Sequence, residues 1–249
     1  MAARPPPERR KGDYGFDAPY VPLLLSLGDL VMLAAAAVKL IGGSVAWALF
    51  CVLCAAGLLA SAASYLYTTR RGKFSVWSTL LNGLEMRGNE QLLDLGCGRG
   101  AVLLMGAQLV PRGRAVGVDL WKSADQSGNA IETTRRNAEL EGVAETVQLE
   151  TADMRDLPFP NSSFDLVVSS IAIHNVNDSR ERERCIDEAV RVLRPGGQLL
   201  VADIRFAGQY VERLRHLAMA EVESRPLGWR FWYGGPWVAA SLVSCVKPG

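Results

Sequence analysis

Asp94-Leu95-Gly96-Cys97-Gly98-Arg99-Gly100 decides how this chain is read. The apolar run Gln91–Leu95 leads into it and a helix-forming stretch, Ala101–Leu109, follows, so the order is strand, glycine turn, helix. Glycines at 96, 98 and 100 let the backbone turn sharply and come close to a ligand at the carboxyl end of a strand, where open α/β sheets bind nucleotides. A second strand, Ala115-Val116-Gly117-Val118-Asp119, ends in a carboxylate 25 positions after Asp94, suited to hydrogen bonds from both hydroxyls of a ribose.

A dinucleotide and an adenosine ligand without pyrophosphate compete for such a turn. Dinucleotide fingerprints space their glycines G-x-G-x-x-G, whereas this loop is G-x-G-x-G. The preceding Asp94 would repel a pyrophosphate and favours a sulfonium or ammonium group. The expected ligand is therefore cationic.

Asp94–Gly100 resembles motif I of the class I S-adenosylmethionine-dependent methyltransferases, and further matches follow in order. Val116–Asp119 resembles the acidic strand end after that motif, and Thr151-Ala152-Asp153-Met154 the position that contacts adenine. Phe164–Ser169 is similar to the fourth strand, and Leu193–Asp203 to the turn and fifth strand. The resemblance covers residues 90–249 and implies a Rossmann-like α/β fold, a seven-stranded methyltransferase sheet whose last strand is antiparallel, with Gly228–Val246 supplying the final pair. It implies S-adenosyl-L-methionine as cofactor, held by Asp94, Gly96, Cys97, Gly98, Asp119, Leu120, Asp153, Met154 and Ser170. No metal site is expected.

Methyl transfer from a sulfonium is an in-line displacement, so the protein must mainly position the acceptor and exclude water. The family's architecture puts the acceptor pocket at the ends of strands four and five, where Ile171–Asp178 falls, which makes His174 the candidate catalytic residue. Histidine can take a proton from a hydroxyl, thiol or amine. The competing reading is that His174 only lines the pocket. His216, in a helical segment, reads as a surface residue.

Upstream, Leu40–Thr69 carries no charged residue, and Val45–Leu66 is long enough to cross a hydrocarbon layer. A second apolar segment, about 21–41, holds Asp29 and Lys39, which raise its insertion cost. Gly42, Gly43 and Ser44 connect the two tightly, predicting a transmembrane helical hairpin over residues 20–69 packed on Ala48, Ala55, Gly57 and Ser61. Arg4, Arg9, Arg10 and Lys11 precede it, in a basic tail over residues 1–19, and Arg70, Arg71 and Lys73 follow it, which puts both ends, and the catalytic domain, on the cytoplasmic face of a membrane. The competing reading, a signal peptide, lacks a small-residue cleavage site before the enzyme-like region. Phe74, Trp77, Leu81 and Leu84 recur at helical spacing and predict an amphipathic connecting helix within residues 70–89.

Composition narrows the partners. With 27 Lys and Arg against 26 Asp and Glu there is no broad basic field, so nucleic acid is not an expected partner. Cys51-x-x-Cys54 lies in an apolar run that cannot support a redox thiolate and reads as two small apolar side chains. Arg180–Arg184 alternates in charge at a helix start and reads as a solvated surface. Two stretches stay open. Trp121–Asn129, including Asp125, either closes over the cofactor or is a polar surface loop. Trp229–Trp237, with five aromatic residues, lines an acceptor pocket, rests at a membrane interface or packs the sheet edge.

The expectation is a membrane-anchored methyltransferase with a small acceptor, lipophilic if the anchor bears on substrate choice. A non-catalytic, membrane-tethered S-adenosylmethionine-binding protein is the alternative. Nothing in the sequence fixes an oligomeric state.

Overall fold

A computed structural model describes residues 10–122 and 126–249. Arg4, Arg9 and Asp125 of the sequence reading lie outside the described residues. Seven strands form one sheet: β1 (Gln91–Leu95), β2 (Arg114–Asp119), β3 (Val147–Thr151), β4 (Phe164–Ser170), β5 (Leu193–Asp203), β6 (Ala220–Pro226) and β7 (Ser241–Val246). Their order across the sheet is β3-β2-β1-β4-β5-β7-β6. Strands β1 to β5 pair in parallel, and β7 runs antiparallel to both β5 and β6.

The central strands are buried on both faces, so they read as nearly continuous apolar runs. Successive side chains take opposite faces. Leu92 joins one core with Leu103, Leu166 and Trp77, while Leu93 and Leu95 join the other with Val167, Ile186 and Ala189. The final pair of strands departs from the expectation: β6 lies at Ala220–Pro226, before Gly228, and only β7 falls within 228–246. Strand β6 is a largely exposed edge with Glu221, Glu223 and Arg225, so it has no apolar pattern to reveal it, and its charges block further pairing.

Helices α4 (Leu103–Leu109), α5 (Ile131–Glu141), α6 (Ser179–Val192) and α7 (Ala207–His216) cover the sheet. Asp178 caps α6 by accepting from Arg180 N and Glu181 N at 2.8 and 3.1 Å. The charged start of α6 is not wholly solvated. Arg182 is buried, donates to Val176 O and Asn177 O, and stacks over Phe206.

Helices α1 (Tyr20–Ile41) and α2 (Val45–Tyr67) pack against each other across the Gly42-Gly43 turn, and both are long and apolar enough to cross a membrane. Ala48, Ala55 and Ser61 are buried in their contact or beneath the domain, as expected; Gly57 is not, since a Cβ there would meet nothing within 4 Å. Helix α2 passes through a π-helical turn, Thr68–Gly72, into α3 (Lys73–Asn82). Phe74, Trp77 and Leu81 of α3 are buried in the core, which seats the end of α2 on the domain.

Candidate cofactor and acceptor site

The sheet's strand order reverses between β1 and β4, and the loops after these strands meet there. Gly96 N and Cys97 N donate to Val118 O at 2.8 and 3.1 Å, so the turn after β1 is tied to β2. Gly96 has φ +71°, and a Cβ on it would lie 2.3 Å from the Ala172 side chain. Only glycine allows both the left-handed conformation and that approach of the β4 loop.

Asp94 is 1% exposed, and its Oδ1 has no hydrogen-bond partner. Burial pushes its carboxyl up to about 7, with the charge of Asp119 adding to the shift. An orphaned buried carboxylate oxygen beneath a glycine turn suits a cationic ligand that would supply the missing partner. Asp119 accepts from Gly98 N at 2.9 Å through Oδ2 and from Trp121 N at 2.6 Å through Oδ1, and Asn129 Nδ2 lies 3.2 Å from Oδ1. It therefore fixes the turn and its own following loop, and Oδ2 keeps a lone pair free for a ribose hydroxyl. These residues fit an adenosine sulfonium.

The other expected contacts divide. Met154 reaches the turn, its Cε 3.3 Å from where a Gly96 Cβ would stand. Asp153 is held by Arg155, whose hydrogen bonds keep its carboxyl below the ordinary range. Cys97 is buried under Gly117, and burial raises its thiol pKa, so only its backbone is open to a ligand. Ser170 Oγ accepts from Trp77 Nε1 at 2.8 Å, and Leu120 is exposed.

His174 sits in a short 3₁₀ turn, Ile173–Asn175, two residues beyond the Ala172 that touches Gly96. Its backbone N donates to Asp203 Oδ2 at 3.0 Å, and its Nδ1 lies 2.6 Å from Asp203 Oδ1, within ion-pair range but without the alignment of an in-line N–H···O bond. Asp203, at the end of β5 and 1% exposed, also accepts from Tyr210 OH at 3.1 Å and Ile204 N at 2.8 Å. Burial and that carboxylate together raise the Tyr210 pKa. Ile171 begins the segment at φ +54°, a strained conformation for a β-branched residue, and its N–H donates to Ala202 O at 2.8 Å.

Residues 11–17 form a strap that sequence reasoning missed. Lys11 N and Gly12 N donate to Glu141 Oε1, Asp13 N donates to Asn137 Oδ1, and Phe16 N donates to Ser127 Oγ. Asp17 then accepts from Lys73 Nζ, Gln126 Nε2 at 2.8 Å and Tyr233 OH at 3.0 Å. Gln126 in turn accepts from Arg99 N at 3.0 Å. The described part of the Trp121–Asn129 loop thus lies against the glycine turn, held there by the strap.

Residues 93–201 match the family described as "Methyltransferase domain". This domain belongs to the class I S-adenosylmethionine-dependent methyltransferases. The methyltransferase domain is 33% identical over 117 residues to the demethylmenaquinone methyltransferase of Symbiobacterium thermophilum, covering 47% of this chain and 43% of that one. The chain spans half or less of the length of the curated relatives it matches. Among solved structures, the cyclase SpnF aligns with TM-score 0.59 at 20% identity, over 72% of this chain and 82% of its own. Geranyl diphosphate C-methyltransferase from Streptomyces coelicolor aligns with TM-score 0.58 at 15% identity, over 72% of this chain and 80% of its own. These two likenesses show the fold alone, and a cyclase among them underlines that fold does not settle activity.

Proposed function

We propose that the chain is a membrane-anchored S-adenosylmethionine-dependent methyltransferase that transfers a methyl group to a small lipophilic acceptor. The observation carrying this reading is the placement of the His174–Asp203 pair beside the glycine turn that frames Asp94. When bound, S-adenosylmethionine supplies an electrophilic methyl group on a sulfonium. Asp94 gives the binding site its negative charge, and Asp119 takes the ribose hydroxyls. Met154 packs at the turn, and Asp153 lies on the adenine side. His174 accepts the proton of the acceptor's nucleophilic atom, with Asp203 holding the ring beside the turn.

Anchorage is supported by the two apolar helices, whose leucine, valine and isoleucine side chains face outward, Leu23, Leu27, Leu30, Leu53 and Leu59 among them. Arg70 and Arg71 just beyond α2 favour a cytoplasmic domain. Lipophilicity of the acceptor is supported by the strap, which runs from the site directly into α1 and so keeps the site's covering segment next to the apolar hairpin. The curated relatives include an enzyme named for a quinone.

The test supplies methyl-labelled S-adenosylmethionine to membranes holding the full chain or its Asp119→Ala variant and extracts the products. Label in the organic phase that depends on Asp119 is the expected result. Label confined to water would refute a lipophilic acceptor, and cofactor binding without turnover across an acceptor panel would refute the enzyme.

A further inference from the structure

Trp229–Val238 touches the site above only through the Tyr233 hydroxyl on Asp17, yet it is clamped to the end of α2. Trp232 O accepts from Ser64 Oγ at 3.1 Å and from Thr68 Oγ1 at 2.7 Å. Tyr233 meets Tyr65 edge-on with ring centroids 5.4 Å apart, and Trp229 stacks on Tyr67 at 5.2 Å. Gly234 lies beside Ser61 O, and Gly72 lies so close to Arg230 O that a Cβ would stand 1.9 Å away. Each contact is to a residue between Ser61 and Gly72.

That interval fixes a depth. At about 1.5 Å per residue, Ser61 lies roughly 24 Å and Thr68 roughly 35 Å along the helix from Val45. A hydrocarbon layer of about 30 Å ends between them. Anything clamped there sits at the membrane boundary if α2 spans.

The outward surface of the segment has the chemistry of that boundary. Phe231 and Tyr233 turn inward and are buried, whereas Trp229 is 56% and Trp237 73% exposed. Arg225 and Arg230 are exposed and line, with Trp229, Val76 and Leu80, one shallow cleft of about 250 Å³. No acidic residue occurs from Arg225 to Gly249. Tryptophan is favoured at the headgroup level, and arginine is attracted to the acidic lipids of a cytoplasmic leaflet.

We propose that Trp229–Val238 is a second membrane contact, in which Trp229 and Trp237 enter the headgroup region of the leaflet that α2 leaves on the domain side. This rests on the reading of α1 and α2 as membrane-spanning. The contact fixes the orientation of the domain, which a hairpin alone leaves free to tilt. It also reaches the cofactor turn through a short chain of hydrogen bonds, from Tyr233 OH to Asp17, with Gln126 donating to the same carboxylate and accepting from Arg99 N.

The test reconstitutes the full chain in phosphatidylcholine and phosphatidylglycerol vesicles made with or without lipids brominated near the top of the acyl chain. Subtracting the emission of Trp237→Phe, or of Trp229→Phe, from that of the unaltered protein isolates each ring. Trp47, exposed in the first turn of α2, is isolated in the same way and reports on the hairpin. Loss of Trp237 and Trp229 emission in brominated vesicles, with protection from aqueous iodide, is the expected result. If Trp47 is quenched by bromine while Trp229 and Trp237 are quenched only by iodide, the second contact is wrong and the hairpin stands. If Trp47 also escapes bromine, the spanning reading falls and this inference falls with it.

Discussion

His174 Nδ1 lies 2.6 Å from Asp203 Oδ1, and the same carboxylate receives the backbone N–H of His174 and the hydroxyl of Tyr210. One buried carboxylate therefore sets both the position of the 3₁₀ turn and the direction of the ring.

If His174 is the proton acceptor, His174→Ala lowers turnover by about 10²–10⁴-fold, with cofactor affinity unchanged. Asp203→Asn keeps the size and weakens the hold on the His174 ring and on its backbone N–H, so it lowers kcat and leaves KM for the acceptor nearly constant. Steady-state kinetics over pH 5 to 9 check both. A His174→Ala variant with unaltered kcat assigns the residue to pocket lining.

If Asp94 faces the cofactor's cationic groups, it governs the pH dependence of binding. Its carboxyl is raised to about 7 from an ordinary 3.8, chiefly by burial. The empty fold holds this proton more tightly than the unfolded chain, so the group's contribution to stability is present at low pH and is lost as pH rises towards about 7. Binding of a cation has the opposite sign, because it needs the carboxylate. Affinity for S-adenosylhomocysteine, which carries an ammonium group, should rise as pH increases through about 7 and then level off. Methylthioadenosine, which lacks the ammonium, should show no such rise. Calorimetric titration of both ligands tests this, and Asp94→Asn should flatten the first profile.

Asp119 has more to lose than ribose contacts. If Asp119 holds the ribose, Asp119→Ala removes one or two charge-assisted bonds to the ligand, each worth roughly 1.5–3 kcal/mol, and it also frees Gly98 N and Trp121 N. Cofactor affinity should fall about tenfold or more. An unchanged Kd by calorimetry would remove Asp119 from the site.

The parts legible in the sequence were those with local signals. Glycine spacing at 96, 98 and 100, apolar runs that end in Asp94 and Asp119, and the uncharged stretch of α2 each carry their physics within a few residues. Strand β6 was missed because an exposed edge strand has no apolar period. The strap was missed because most of its bonds join residues more than a hundred positions apart, such as Asp13 to Asn137. Asp203 was recognised only as a strand end, since nothing near it in sequence marks a partner at His174. The supposed solvation of Arg182 failed for the same reason: Phe206, which covers it, lies on a different segment.

Asp17 and Lys73 form a pair whose side chains are 18% and 7% exposed. Removing either leaves the other charge poorly solvated, at a cost of about 3–5 kcal/mol for a buried pair, and somewhat less here because Asp17 retains some contact with water. Asp17→Asn and Lys73→Met should each lower the thermal midpoint of the detergent-solubilised chain. The double variant should lose less than the sum of the two, since each change removes the same interaction. Strict additivity would mean that the pair is not coupled.

Gly72 and Gly57 make opposite predictions from the same substitution. Gly72, in the π-helical turn, has φ −59° and ψ −51°, so alanine fits its backbone conformation without strain. A Cβ there would nevertheless stand 1.9 Å from Arg230 O, and backbone on both sides must move. Gly72→Ala should therefore destabilise by about 1–3 kcal/mol, as overpacking does, and push Trp229–Tyr233 away from α2. Gly57 lies mid-helix with nothing within 4 Å of a Cβ, so Gly57→Ala only restricts the backbone. It should be neutral or stabilise by up to about 1 kcal/mol. Thermal unfolding of both variants measures the difference, and proteolysis near Trp229 reports undocking of the segment. A Gly72→Ala protein as stable as Gly57→Ala would mean that α2 and the aromatic segment are not in contact.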